Sequence, residues 1–394
     1  MIKKRQDSEH VKRPLSILKK TMESYDPNIA CIFLPWICRH PRYLRGFLRL
    51  RRTHLQVKKC RKEELVKGVK VPPFLILSIT PHCNLQCTGC YAAATGVTST
   101  INFTKSIQQS KLLSYDQWHS IIKEANTLGV FGYVFAGGEP FLFPKLLRLC
   151  KEFNDRFFLI LTNGTTLKQG DYQKLKRLGN IAILVSIEGD ADFTNKRRGQ
   201  NVYEKAMTTL QKLKKIGVIC GVSVTITRMN YKYWMDPENI DLLISQGIRI
   251  GTFIEYIPLT PTHTTGDSDH DLMLTSKERK LFRSQMLSYR DSKSIYIVHS
   301  PGDEEFFGGC VSAGRGFAHI TSMGDLTPCP ISNIATHNLT TSTLREGLAS
   351  PLFTEIRAND HLLETEGMPC ALFAHPKEVD ELAESVGAYK TSIE

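Results

Sequence analysis

Six short apolar runs recur between residues 74 and 257, and any fold of this chain has to bury them. They occupy 74–79, 131–135, 157–161, 181–187, 218–226 and 250–257. Each has the length of a strand, and their β-branched and aromatic content suits strands covered on both faces. Helical periodicity fills the intervals at 115–128, 171–178, 202–216 and 240–246. Six β-then-α units in succession predict an α/β fold on a parallel sheet, either open and doubly wound or curved into a partial barrel. Both arrangements place chemistry in the loops after the carboxyl ends of the strands. Pro72-Pro73 stops any helix before the first strand. After about residue 295 the alternation is expected to fail. Residues 317–329 then read as a hairpin around Met323-Gly324-Asp325, followed by helical stretches at 343–358 and 376–385. Three regions result: an extension over 1–70, the alternating body over 71–295 and a small module over 296–394.

Charge separates the first region from the rest. The first seventy residues hold 19 Lys/Arg against 6 Asp/Glu, whereas the other 324 hold 32 against 33, so the net charge of +12 belongs to the extension. A neutral body argues against specific nucleic-acid binding. No uncharged apolar run approaches the roughly 18 residues of a membrane span, and the start MIKKRQDSEHVKR lacks the apolar stretch of a secretory signal. A cytoplasmic location is expected, and the 11 cysteines then read as thiols or metal ligands, not disulfides.

Directly after the first run stands Pro81-His82-Cys83-Asn84-Leu85-Gln86-Cys87-Thr88-Gly89-Cys90-Tyr91, a C-x3-C-x2-C loop. A structural zinc wants four N/S ligands and would have to recruit His82 or a remote residue. A four-iron cubane held by three thiolates leaves one iron open to a non-protein ligand. A zinc knuckle and three incidental thiols are the competing readings. The loop, with its aromatic Tyr91, resembles the signature of the radical S-adenosylmethionine (SAM) enzymes.

That resemblance implies a partial (β/α)6 TIM-like barrel in which Cys83, Cys87 and Cys90 hold a 4Fe-4S cluster. The unique iron would chelate SAM, whose reductive cleavage gives a 5′-deoxyadenosyl radical that abstracts hydrogen from substrate. An electron donor such as flavodoxin or ferredoxin is implied as partner. The second strand ends in Gly137-Gly138-Glu139-Pro140, similar to the family element that binds the methionine amino group. Tyr91 is assigned with it to the cofactor. The third and fourth strands end in Leu161-Thr162-Asn163-Gly164 and Val185-Ser186-Ile187-Glu188-Gly189, and Ser186, Glu188 and Arg198 are assigned by resemblance to SAM contacts. Thr194 and Asn195 depart from the His-Asp pair of many peptide-modifying relatives, which weakens the case for a peptide substrate.

Cys310, then Gly324 and Cys329 with four residues between them, and finally Cys370 resemble the opening of the SPASM and Twitch auxiliary-cluster domains. The resemblance implies a second 4Fe-4S cluster on Cys310, Cys329 and Cys370; a degenerate module with buried or zinc-bound thiols is the alternative. Cys31, Cys38, Cys60, Cys150 and Cys220 carry no motif, the last two reading as core thiols. His82, His319 and His375 receive no role, and Glu63-Glu64 and Glu304-Glu305 read as solvated faces. The expected activity is SAM cleavage with hydrogen abstraction from an unassigned lipid or peptide. The alternatives are a radical SAM methyltransferase and a non-enzymatic zinc or nucleic-acid-binding protein.

The extension has one pattern of its own. Arg39, Arg42, Arg45, Arg49 and Arg52 fall on one helical stripe, while Tyr43, Leu44, Phe47, Leu48 and Leu50 lie largely elsewhere, beyond the apolar CIFLPWIC at 31–38. Residues 31–55 therefore read either as an interfacial helix at the inner face of a membrane or as an arm packed on the barrel, with Arg51 intruding among the apolar positions.

Overall fold

The computed structural model describes residues 36, 38–94, 99–100, 112–259, 269–365 and 367–391. The sequence reading of 1–35, including Cys31 and most of CIFLPWIC, lies outside the described residues. One long helix, α1 (Leu44–Val66), precedes the double proline, and the six apolar runs become β1 (Phe74–Thr80), β2 (Gly132–Gly137), β3 (Phe157–Thr162), β4 (Ile181–Ser186), β5 (Ile219–Ile226) and β6 (Ile250–Glu255). These strands pair in chain order, every pair parallel. Crossover helices include α2 (Tyr115–Leu128), α3 (Leu146–Glu152), α4 (Gln169–Leu175), α5 (Ala191–Arg198), α6 (Val202–Lys215) and α7 (Pro237–Ser245). Local chemistry sets their ends. For α2, Ser114 and Gln117 form a reciprocal capping box, and Gly129 closes the helix in the left-handed region at φ 100°.

The alternation runs one unit further than the periodicity suggested. Helix α8 (Ser276–Ser292) leads into β7 (Tyr296–Ser300), which pairs parallel with β6. Its sequence YIVHS is short and ends in polar residues, so it carries little apolar signal. The expected hairpin is present as β8 (Phe317–Ile320) and β9 (Leu326–Thr327), antiparallel about Gly324 at φ 97°. It does not stand apart: β8 pairs parallel with β1, giving one sheet in the order β9-β8-β1-β2-β3-β4-β5-β6-β7. His319 fastens this join, its Nε2 2.7 Å from Ser78 Oγ and its Nδ1 2.8 Å from Thr327 Oγ1. Burial pushes this histidine down to about 3, which keeps the ring neutral. The helical stretch expected at 343–358 is broken, because Ser350-Pro351 starts a new helix, α9 (Pro351–Ala358), with proline at its first position. The last long element is α10 (Pro376–Ser385).

Helix α1 is packed against the body along Gly46, Thr53, Val57 and Glu64. A Cβ on Gly46 would lie 2.8 Å from the Gly179 carbonyl oxygen, so glycine permits the close approach. Arg61 donates to the Gly129 carbonyl at 2.7 Å, and Arg42 and Arg49 turn toward the body to reach the Ile216 carbonyl and Asn154. The opposite face exposes Leu44, Phe47, Leu48 and Leu55 among Arg45, Arg51 and Arg52. Glu64 is not part of a solvated face: it is 6% exposed, 3.0 Å from Lys67 and paired with Arg345.

Candidate functional site

The cysteine loop leaves β1 at its carboxyl end, and Cys83, Cys87 and Cys90 are each half-buried there. Hydrogen bonds to the residues after β2 and to α5 hold it. The Glu139 N–H donates to His82 O at 2.8 Å, the Thr88 N–H donates to Arg197 O at 3.0 Å, and the Arg197 guanidinium donates to Gly89 O at 3.2 Å. Gly89, at φ 62°, lies where a side chain would strike the Tyr256 ring. Burial pushes the Cys83 thiol up to about 11. Burial also raises Cys87, against the pull of Arg198 and Arg197.

The spacing of the thiols bears on what they could bind. Two thiolates on one tetrahedral zinc, each about 2.3 Å from it, stand about 3.8 Å apart. Among the described residues the cysteine triad does not gather within 4.8 Å, nor does it do so with any further Cys, His, Asp or Glu. Three soft donors on one loop, spread more widely than a single ion requires, fit ligands to separate irons of a cubane.

Gly137-Gly138-Glu139 runs edge-on against this loop. A Cβ on Gly138 would sit 2.2 Å from His82 O, and Gly137 has φ 100° beside Ser78 and Thr80. The Glu139 carboxylate points inward: it is 1% exposed and accepts from Thr162 Oγ1 at 2.7 Å, Asn163 N–H at 2.8 Å and Phe141 N–H at 3.1 Å. Burial raises its carboxyl despite those donors. Tyr91 is hydrogen-bonded at the Gly137 backbone, and burial pushes its phenol up.

Ser186 ends β4 opposite Ser223. Glu188, two residues on, is 1% exposed and fully engaged, with Arg197, with Arg198 Nε at 2.7 Å and with the Thr225 N–H at 3.0 Å. Arg198 thus stands as Glu188's partner. Arg197, which the sequence reading passed over, bridges Glu188 to the cysteine loop; the only signal was the doubled arginine before Gly199. The departures at 194–195 have structural work: Thr194 accepts from the Glu188 N–H at 3.0 Å, and Asn195 accepts from the Tyr203 N–H at 2.9 Å.

Cys310, Cys329 and Cys370 are all buried, and Cys310 lies close enough to raise Cys329, as both do to raise Cys370. Burial is the larger cause, pushing Cys310 up to about 11. Glu304 belongs to this group and not to a solvated face. Its carboxyl lies against Cys310 and the Val311 backbone, and burial pushes it up to about 7. The outer neighbour Glu305 is exposed. Cys150 and Cys220 are buried core thiols, Cys60 is half-buried and Cys38 is exposed.

A partial parallel barrel carrying three cysteines on the loop after its first strand defines a class of iron–sulfur fold. The sequence profile of the Radical SAM superfamily matches residues 77–244, and this part of the chain is similar to a radical SAM domain. Among curated proteins, Fe-coproporphyrin III synthase of Methanosarcina barkeri is 29% identical over 180 residues, 45% of this chain and 42% of that protein. The match thus spans less than half of that relative's length. AdoMet-dependent heme synthase from the same organism is 23% identical over 308 residues, 72% of this chain and 83% of the relative. Among solved structures, Streptococcus suis SuiB bound to S-adenosylmethionine is similar, with a TM-score of 0.60 and 18% identity over 77% of this chain and 72% of that one. This last likeness shows the fold.

Proposed function

We propose that this chain is an enzyme that cleaves SAM reductively and uses the resulting 5′-deoxyadenosyl radical to abstract hydrogen from a substrate. The observation that carries the reading is the cysteine triad at the barrel mouth, with the Gly-Gly edge packed against the same loop. Cys83, Cys87 and Cys90 would hold a 4Fe-4S cluster. Bound there, the cluster supplies one electron and an open iron for the amino and carboxylate groups of SAM. With the Glu139 carboxylate turned inward, the backbone of Gly137-Gly138 takes the methionine ammonium. Glu139 acts by clamping that backbone to β3. Glu188 fixes Arg197 and Arg198 beside Cys87, and this positive pair steadies the thiolate there. Ser186 and Tyr91 border the cofactor, and a flavodoxin- or ferredoxin-type protein supplies the electron.

Cys310, Cys329 and Cys370 would hold a second cluster. Chain reconstituted under anaerobic conditions is expected to carry about eight irons, falling to about four in a Cys310→Ala/Cys329→Ala variant that still forms 5′-deoxyadenosine on reduction with dithionite and SAM. About four irons in the fully reconstituted wild type would remove the second cluster. Absence of 5′-deoxyadenosine with a reduced cluster present would remove the activity.

The exposed Leu44, Leu48 and Leu55 with Arg45, Arg51 and Arg52 support a further reading, that α1 docks on anionic lipid and brings the barrel to a membrane-borne substrate. Each arginine near such a surface gains about 1 kcal/mol. No helix among the described residues is long and apolar enough to cross a membrane, so the contact would be peripheral. Sedimentation with anionic vesicles at low salt is expected for the full chain and lost in a Leu48→Glu/Leu55→Glu variant. Equal, negligible sedimentation of both would leave α1 as a packed arm.

A further inference from the structure

His361 opens a short 3-10 turn, His361–Leu363, while His375 precedes α10 and Glu378 lies in its first turn. Thirteen residues separate the two histidines in the chain. In space, one ligand atom from each of His361, His375 and Glu378 lies within 4.8 Å of the others, and among the described residues no other group of Cys, His, Asp or Glu does this. The imidazole centroids are 4.0 Å apart, and His361 Nδ1 is 4.0 Å from Glu378 Oε1.

We propose that His361, His375 and Glu378 form a binding site for a divalent transition-metal ion of the zinc class, separate from both cysteine groups. The orientation of His375 is the first support. This ring is 3% exposed, and its Nε2 lies 3.1 Å from the Glu364 carbonyl oxygen. A carbonyl can only accept, so Nε2 carries the hydrogen and Nδ1 keeps a bare lone pair. Proteins fix the tautomer of metal-binding histidines in this way, by a backbone acceptor on one ring nitrogen.

The spacing is the second support. An Nδ1 to carboxylate separation of 4.0 Å is too long for a hydrogen bond. Two ligand atoms each about 2.0–2.1 Å from one ion stand about 3.3 Å apart at a tetrahedral angle and farther apart at wider ones. The cluster is therefore open by about the width of an ion. Two neutral imidazoles and one carboxylate favour zinc, cobalt, nickel or copper over magnesium or calcium.

An ion here would close the segment 361–378 on itself. That segment carries Cys370, and its Leu363 carbonyl accepts the Cys310 N–H at 2.8 Å. The site would thus brace the backbone of two buried thiols without using either sulfur. The inference uses none of the residues assigned to SAM cleavage and stands or falls without that activity.

The test adds Co²⁺ to the full chain with its cysteine sites already loaded by iron–sulfur reconstitution. Expected are visible ligand-field bands without the near-ultraviolet bands of sulfur-to-cobalt charge transfer, displaced by Zn²⁺. Zn²⁺ should also raise the melting temperature. His361→Ala and Glu378→Gln change surface side chains, so folding is retained, and each should weaken Co²⁺ binding at least tenfold and abolish the Zn²⁺-induced rise. The proposal is overturned if wild-type chain binds no Co²⁺ at millimolar concentration. It is equally overturned if the bands show sulfur ligation, or if binding and melting shift are the same in both variants as in wild type.

Discussion

Alanine at Cys83, Cys87 or Cys90 is expected to abolish 5′-deoxyadenosine formation while the chain still folds. The two halves of this expectation have separate physical grounds. Each thiol is half-buried, so its loss removes little packing, and the cost in stability should be about 1 kcal/mol. The loop keeps its fastenings, since Glu139 N–H to His82 O, Thr88 N–H to Arg197 O and Arg197 to Gly89 O use no sulfur. The ligand set, by contrast, is three thiolates for a cubane with one iron left to SAM, so the loss of any one leaves a second iron without a protein ligand. Thermal melting within a few degrees of wild type, reduced iron content and no product after dithionite reduction with SAM would agree with this account. A variant of any of the three that turns SAM over at the wild-type rate would end it.

The chain's strands were legible where burial on both faces makes the signal local, as in FLILSIT and ICGVSVTI. Strand β7 was not, because YIVHS owes its place to pairing with β6 and packing on α8, neither of which is written within five residues. The hairpin at 317–327 could be read from its turn glycine, yet its junction with β1 could not, since it depends on His319 reaching Ser78 across 241 positions. The same limit governs the site. Three cysteines in eight residues announce a ligand set because the chemistry is contained in one loop. The direction of a carboxylate is not contained there. Glu139 turns inward because Thr162 and Asn163 on the next strand supply donors, and Glu188 is held by Arg197 and Arg198 from α5. Glu64 and Glu304 read as solvent-facing from their doubled acids and are in fact held by partners from elsewhere in the chain.

Gly138→Ala is expected to lower SAM cleavage about a hundredfold, on the general scale of a misplacement of roughly 1 Å at a reacting centre. Gly138 does not require glycine for its backbone angles, since it is not among the positive-φ residues. It requires glycine for space. An added Cβ would lie 2.2 Å from His82 O and 2.6 Å from His82 C, and both are backbone atoms of the residue before Cys83. A flexible side chain could swing away, but this peptide cannot: the His82 carbonyl accepts the Glu139 N–H at 2.8 Å, and the Gly138 N–H donates to Thr80 O at 2.9 Å. The methyl group must therefore push the start of the cysteine loop away from the Gly-Gly edge, separating the thiols from the backbone proposed to receive the SAM ammonium. Overpacking of this kind costs about 1–3 kcal/mol in stability, so the variant should remain folded and its lost activity should be separable from unfolding. Gly170→Ala is the control. A Cβ there meets nothing within 4 Å, and alanine in α4 should gain up to about 1 kcal/mol from helix propensity with activity unchanged. The measurement is 5′-deoxyadenosine formation and SAM affinity in both variants at matched iron content. If Gly138→Ala cleaves SAM within twofold of wild type, the Gly-Gly edge and the cysteine loop are not the two halves of one cofactor site.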